Sequence, residues 1–175
     1  RLDPVSPLML LNAALHYYFG KQFDVSLEYC EKCLALSPYF SGASITKGLW
    51  QILYKEYNEA AREFKYALKD NQNANGYFGY ALGITNQKTE ERTILSKIQK
   101  RVNEGFESKF SLALVHFGLG EVPKCLEILE KLKEEKPALI TSSAWLSVDP
   151  IWDPIRDNIR FQKISEQMAV PDMGL

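Results

Sequence analysis

Cys30 and Cys33 stand three residues apart, the C-x-x-C spacing from which metal sites and dithiol redox pairs are built. A closed zinc site needs two further ligands, and the chain holds 3 cysteines with no second pair. The positions 34 residues further on carry Phe64 and Ala67, so both thiols read as buried packing groups. His16 and His116 lie a hundred residues apart and make neither a metal pair nor an acid–base dyad. Each is expected in a core or lining a groove. Gly76, Gly79 and Gly83 lack the spacing of a dinucleotide fingerprint, and no glycine-rich loop runs into Lys-Ser or Lys-Thr. Gly118-x-Gly120 falls where a turn is expected. The basic groups Lys97, Lys100, Arg101 and Lys131, Lys133, Lys136 share helical stretches with acidic residues, as solvated outer faces do. No catalytic residue, metal or cofactor is expected, and the chain is not read as an enzyme.

The bulk chemistry agrees. The chain has 175 residues, 46% hydrophobic and 25% charged, enough for one sizeable core. With 21 Lys+Arg against 22 Asp+Glu the net charge is −1, which argues against a polybasic nucleic-acid or membrane binder. No apolar run is long enough to span a bilayer, and no leader pattern opens the chain. Three unclustered cysteines suit a reducing, cytoplasmic setting. The first residue is Arg1, so a fragment of a longer chain is expected.

What must position any site is a repeat. Ala14 and Gly48, Phe23 and Tyr57, Ser26 and Ala60, Cys30 and Phe64, Cys33 and Ala67 are all 34 residues apart. A second offset of 65 links Gly48 to Ala113, Tyr57 to Val122, Ala60 to Cys125 and Phe64 to Leu129. That equals two 34-residue units with three residues lost from the one between.

Each unit reads as two amphipathic helices joined by a tight turn. Ser6 and Pro7 offer an N-cap and a first-turn proline. Leu10, Leu11, Ala14, Leu15, Tyr18 and Phe19 then recur at helical spacing, and 23–36 resumes the pattern until Pro38. The second unit repeats this over 41–54 and 57–70, the third over 75–86 and 89–103 with Thr89 as N-cap, the fourth over 108–118 and 122–135 before Pro137. Small residues at Ala14/Ser26, Gly48/Ala60 and Ala113/Cys125 mark where paired helices cross closely. Cys33 and Ala67 would admit the next unit's first helix. In the third unit Ala81 or Leu82 could fill the small slot, and Arg92 to Ile94 fit its partner poorly.

This set resembles the tetratricopeptide repeat (TPR) family, most closely in the second unit through Gly48, Tyr57, Ala60, Phe64 and Ala67. That unit departs from the family at Ser44, Lys47 and Gln51. The resemblance implies an all-α, right-handed superhelical solenoid of about four helical hairpins with a C-terminal helical cap. The expected organisation is residues 1–6 as the tail of a preceding repeat, 7–137 as the array (7–38, 41–72, 75–104, 107–137) and 138–175 as the capping segment. Leu2-Asp3-Pro4 matches a repeat exit, so Leu8 and Leu11 are expected on an open end that invites a homodimer. At the other end Asp149-Pro150 and Asp153-Pro154 each read as a cap with a first-turn proline. Trp145, Trp152, Ile155, Ile159, Phe161 and Ile164 supply bulk to cover the last repeat.

The stretch Val148 to Arg156, with Arg160-Phe161-Gln162 after it, resembles the closing segment of TPR arrays at the C-terminus of bacterial signalling proteins. The function so implied is a non-catalytic protein-interaction scaffold, the sensory or scaffolding region of a transcriptional regulator. The alternative is the regulatory region of an adenylate or guanylate cyclase or a protein kinase. In the family the first helices line a concave groove that receives a protein or peptide. The residues one step beyond the small slots and one turn on give Leu15, Tyr18, Phe19, Leu49, Ile52, Leu53, Phe78, Leu82, Phe110, Leu114 and Phe117. Each of these either anchors a partner or packs adjacent first helices. The family's carboxylate clamp for chaperone tails is not matched, because Leu11, Leu15 and Thr46 stand where its polar and basic residues would.

Overall fold

The structure, a computed structural model, describes residues 6–132 and 145–168. The expected exit Leu2-Asp3-Pro4, the stop before Pro137, and Lys133 and Lys136 lie outside them. The described residues form four successive helical hairpins: α1 (Pro7–Phe19) with α2 (Phe23–Leu36), α3 (Ser41–Leu53) with α4 (Tyr57–Ala67), α5 (Ala74–Ile84) with α6 (Lys88–Asn103), and α7 (Lys109–Gly118) with α8 (Val122–Leu132). A 3-10 helix (Pro150–Ile155) and α9 (Ile159–Met168) follow. Among the described residues there is no strand.

Every hairpin turns by the same device. Lys21, Lys55, Asn86 and Gly120 take positive φ of 57°, 63°, 55° and 74° at the middle of a three-residue turn. In each turn two amides reach back to the helix end, as Lys21 N to Tyr18 O and Gln22 N to Tyr17 O do in the first. This is the Schellman arrangement, which satisfies carbonyls that the helix end leaves bare. The four residues are spaced 34, 31 and 34 apart, the spacing that the side-chain pattern requires.

Helix pairs close where side chains are small. The Ser26 hydroxyl is fully buried and donates to the Ala14 carbonyl across the α1–α2 crossing at 2.8 Å. In the second hairpin the ring of Phe64 lies over Gly48, and a Cβ there would sit 2.5 Å from Cε1. Cys33, expected to admit the next unit, is wholly buried and donates to the Pro7 carbonyl of its own hairpin. In the third hairpin Ala81 is wholly buried, and Glu91 falls at the register of Ser26, Ala60 and Cys125. A carboxylate in a small-residue slot is why matching by size fails there.

Several local expectations are corrected. The N-cap of α6 is Gln87, and Thr89 lies inside the helix. α4 ends at Ala67 and not at residue 70. Pro154 lies within the 3-10 helix, and Asp153 is no cap because its carboxylate takes Lys21 and Arg156 instead. Asp149 does cap that helix, accepting from Ile151 N. Leu8 and Met9 are exposed, but Leu11 turns inward against Gly42 of α3.

First helices do not stack uniformly. α5 and α7 press together because Gly76 meets the Ser111 backbone, Gly79 meets Val115, and Gly83 meets Gly118. α1 and α3 touch far less, which leaves room between them.

Candidate functional site

The segment after the array crosses the first helices as well as closing the last repeat. α9 lies on α8, where Arg160 forks onto the Glu130 carboxylate at 2.9 and 3.1 Å. Just before it, Trp152 is completely buried, stacked on Phe117 (5.0 Å between centroids) and edge-on to Phe110 (5.8 Å). The chain on both sides of Trp152 reaches back to the first hairpin. The Tyr18 hydroxyl donates to Asp149 Oδ1 at 3.0 Å, Lys21 Nζ pairs with Asp153 at 2.8 Å, and Trp145 stacks flat on Phe19 at 4.5 Å. Residues more than 120 apart are thereby joined across the first helices. Arg156 braces this return segment through the Asp153 carboxylate and the Ser147 and Asp149 carbonyls.

Beside the return segment lies a cavity of about 570 Å³. Leu11, Asn12, Leu15, His16 and Phe19 of α1 form one wall, and Gly42, Ile45, Thr46 and Leu49 of α3 form the other. Tyr77 of α5, Trp145 and Asp149 complete it. The lining is apolar with a few polar groups, the pattern of a binding pocket. Thr46 is already committed, its hydroxyl donating to Gly42 O at 3.0 Å. Asp149 is the singular feature, a carboxylate only 3% exposed. Burial raises it to about 6, against the lowering effect of hydrogen bonds from Ile151 N and the Tyr18 hydroxyl. Burial first and the nearby Asp149 charge second push the Tyr18 and Tyr77 phenols well above their ordinary range.

Of the groove residues expected from sequence, Leu15, Phe19 and Leu49 line this cavity. Leu53 is half-buried, and Tyr18, Ile52, Phe78, Leu82, Phe110, Leu114 and Phe117 are buried in the core. Leu11, Gly42 and Ile45, which also line the cavity, lie about two helical turns before Tyr18 and Ile52. An i, i+3, i+4 and i+7 spacing from Gly42 to Leu49 carried that signal. Nothing in the sequence pointed to Trp145 or Asp149 as partners of α1.

The cysteines are buried and free, and burial pushes the Cys30 and Cys125 thiols up to about 12. Such thiols stay protonated and unreactive. His116 Nδ1 lies 2.6 Å from Glu121 Oε2 at a hairpin turn, while His16 borders the cavity. Among the described residues no helix is long and apolar enough to cross a membrane.

No protein-family model matches the sequence, and a search of curated proteins finds no significant match. Among solved structures, the chain matches that of YrrB, described as a TPR protein with an unusual peptide-binding site. The TM-score is 0.52 at 16% identity, over 95% of this chain and 86% of that one. The fold is a TPR-type helical solenoid. At that identity the likeness speaks to the fold, and the cavity between α1 and α3 must be argued from its own lining.

Proposed function

We propose that this chain is a non-catalytic protein-interaction module that takes a short apolar peptide segment of its partner into the cavity between α1 and α3. The observation that carries this is the cavity itself, walled by α1 and α3 and bordered by Tyr77, Trp145 and Asp149. Trp152 already fills the space beside Phe110 and Phe117, so a guest has the α1–α3 end to itself. YrrB, which shares the fold, is described by its peptide-binding site, and that supports a peptide as the guest. The resemblance of the closing segment to those of bacterial regulators supports a place as the C-terminal sensory region of a cytoplasmic transcriptional regulator. Exposed Leu8 and Met9 supply an apolar contact for self-association, read as a loss of dimer in sedimentation when both become Lys.

Panning a phage-displayed random heptapeptide library on the purified chain tests the reading. Leu15→Asp and Ile45→Asp place a charge on half-buried cavity walls and should abolish enrichment. Tyr39→Asp, on a side chain 75% exposed outside the cavity, should not. Enrichment that survives both cavity substitutions in folded protein would move the site elsewhere.

A further inference from the structure

The cavity has a charged floor that the peptide reading leaves unused. Asp149 lines it while only 3% exposed, and among the described residues the two hydrogen bonds its carboxylate accepts, from the Tyr18 hydroxyl and Ile151 N at 3.0 Å each, fall on Oδ1. Oδ2 is the oxygen left for a guest. Arg156 acts on this carboxylate only through its field, and among the described residues no hydrogen bond or ion pair joins a cation to it. Lys21 binds Asp153, and the Arg156 guanidinium is spread over Asp153 and two backbone carbonyls. A carboxylate taken out of water without a hydrogen-bonded cation is an unfavourable arrangement that a guest cation relieves. The walls suit the same guest, because the stacked Phe19–Trp145 pair and Tyr77 border the cavity with aromatic surface.

We propose that the peptide this cavity takes carries a lysine or arginine beside its apolar anchor, with the cation seated on Asp149 and the anchor between Leu15 and Ile45. The inference rests on the peptide-binding role proposed above. It also sets the charge preference opposite to that of a clamp for acidic tails. A peptide carboxylate would meet Asp149 as a like charge.

The recovered heptapeptides decide it. Sequencing should show Lys or Arg enriched over the starting library next to an aliphatic or aromatic residue. A synthetic representative should lose about tenfold in affinity when its basic residue becomes norleucine, which keeps the alkyl stem and removes the charge. Against Asp149→Asn the two peptides should bind alike, since the carboxamide keeps an acceptor for Tyr18 and Ile151 but offers no charge. Asn12→Lys puts a cation at the exposed mouth without touching Asp149, and should weaken the basic peptide more than its norleucine version. A pool rich in neutral or acidic peptides, or equal binding of both peptides to the unaltered chain, overturns the inference and leaves the peptide-binding role standing. Failure to enrich any peptide overturns both.

Discussion

At Gly48 the α3 backbone runs beneath the Phe64 ring with no space for a methyl group, since an added Cβ would stand 2.5 Å from Cε1. Phe64 is wholly buried and cannot swing out, so the strain passes into the hairpin. Gly48→Ala should therefore destabilise by about 1–3 kcal/mol in urea denaturation, although alanine is the better helix former. The sequence marked Gly48 as a crossing point but paired it by size with Ala60. The ring that needs it comes from the next turn of α4. Asp149 gives a second residue-scale outcome. Its carboxyl sits at about 6 in the folded chain against an ordinary 3.8, so the folded state holds a proton through a window where the unfolded state has lost it. Stability should fall by about 2–3 kcal/mol as pH rises through that window, with no such penalty below it. Asp149→Asn should remove this slope. Burial alone would raise Asp153, but hydrogen bonds from Lys21 and Arg156 hold it below its ordinary value. Its stabilisation is lost only as pH falls further, so the two effects separate. An unchanged slope in Asp149→Asn would place the buried proton on another group.

The hairpin is the element that repeats, and its turn is where local sequence and local structure disagree. Lys21, Lys55, Asn86 and Gly120 adopt one left-handed conformation, although only glycine does so without steric penalty. Lys55→Gly should raise stability by about 0.5–1 kcal/mol despite the looser unfolded chain, because the left-handed penalty is removed. Lys21 would not give as clean a result, since it also binds Asp153. Gly120→Val should cost about 1–2 kcal/mol, and a thermal melt in which it matches the parent would undo the argument. The helices were legible because apolar spacing and paired small residues recur every 34 positions. The turns were legible as breaks in that pattern, but their shared left-handed geometry was not, because two lysines, an asparagine and a glycine share no side-chain chemistry. The third unit was hard to read for a related reason. Glu91 occupies a slot that size matching reserves for Ala, Ser or Cys, and the glycines of α5 make their tightest approaches to α7.

In a solenoid each repeat touches only its neighbours, so a change at one end should leave the other end alone. Here Asp149 and Trp145 tie the closing segment to α1 while Trp152 anchors it on α7. Trp152→Ala should cost about 3–5 kcal/mol, and hydrogen exchange should quicken in α1 as well as in α7. Exchange confined to α7 and α9 would mean that the ties to α1 are incidental. No period in the sequence joins residue 18 to residue 149, so this closure was invisible there, and the cap was expected only on the last repeat. Under the proposed function the closure also sets where a partner enters, because it occupies the Phe110–Phe117 end of the first-helix surface. The most direct measurement is therefore amide and indole chemical-shift mapping of the chain titrated with a peptide from the heptapeptide selection. Shifts should concentrate at Leu15, His16, Ile45, Thr46 and the Trp145 indole, with the Trp152 indole unmoved. Shifts centred instead on Phe110, Phe117 and Trp152, or on the outer helices α2, α4 and α6, would contradict the account.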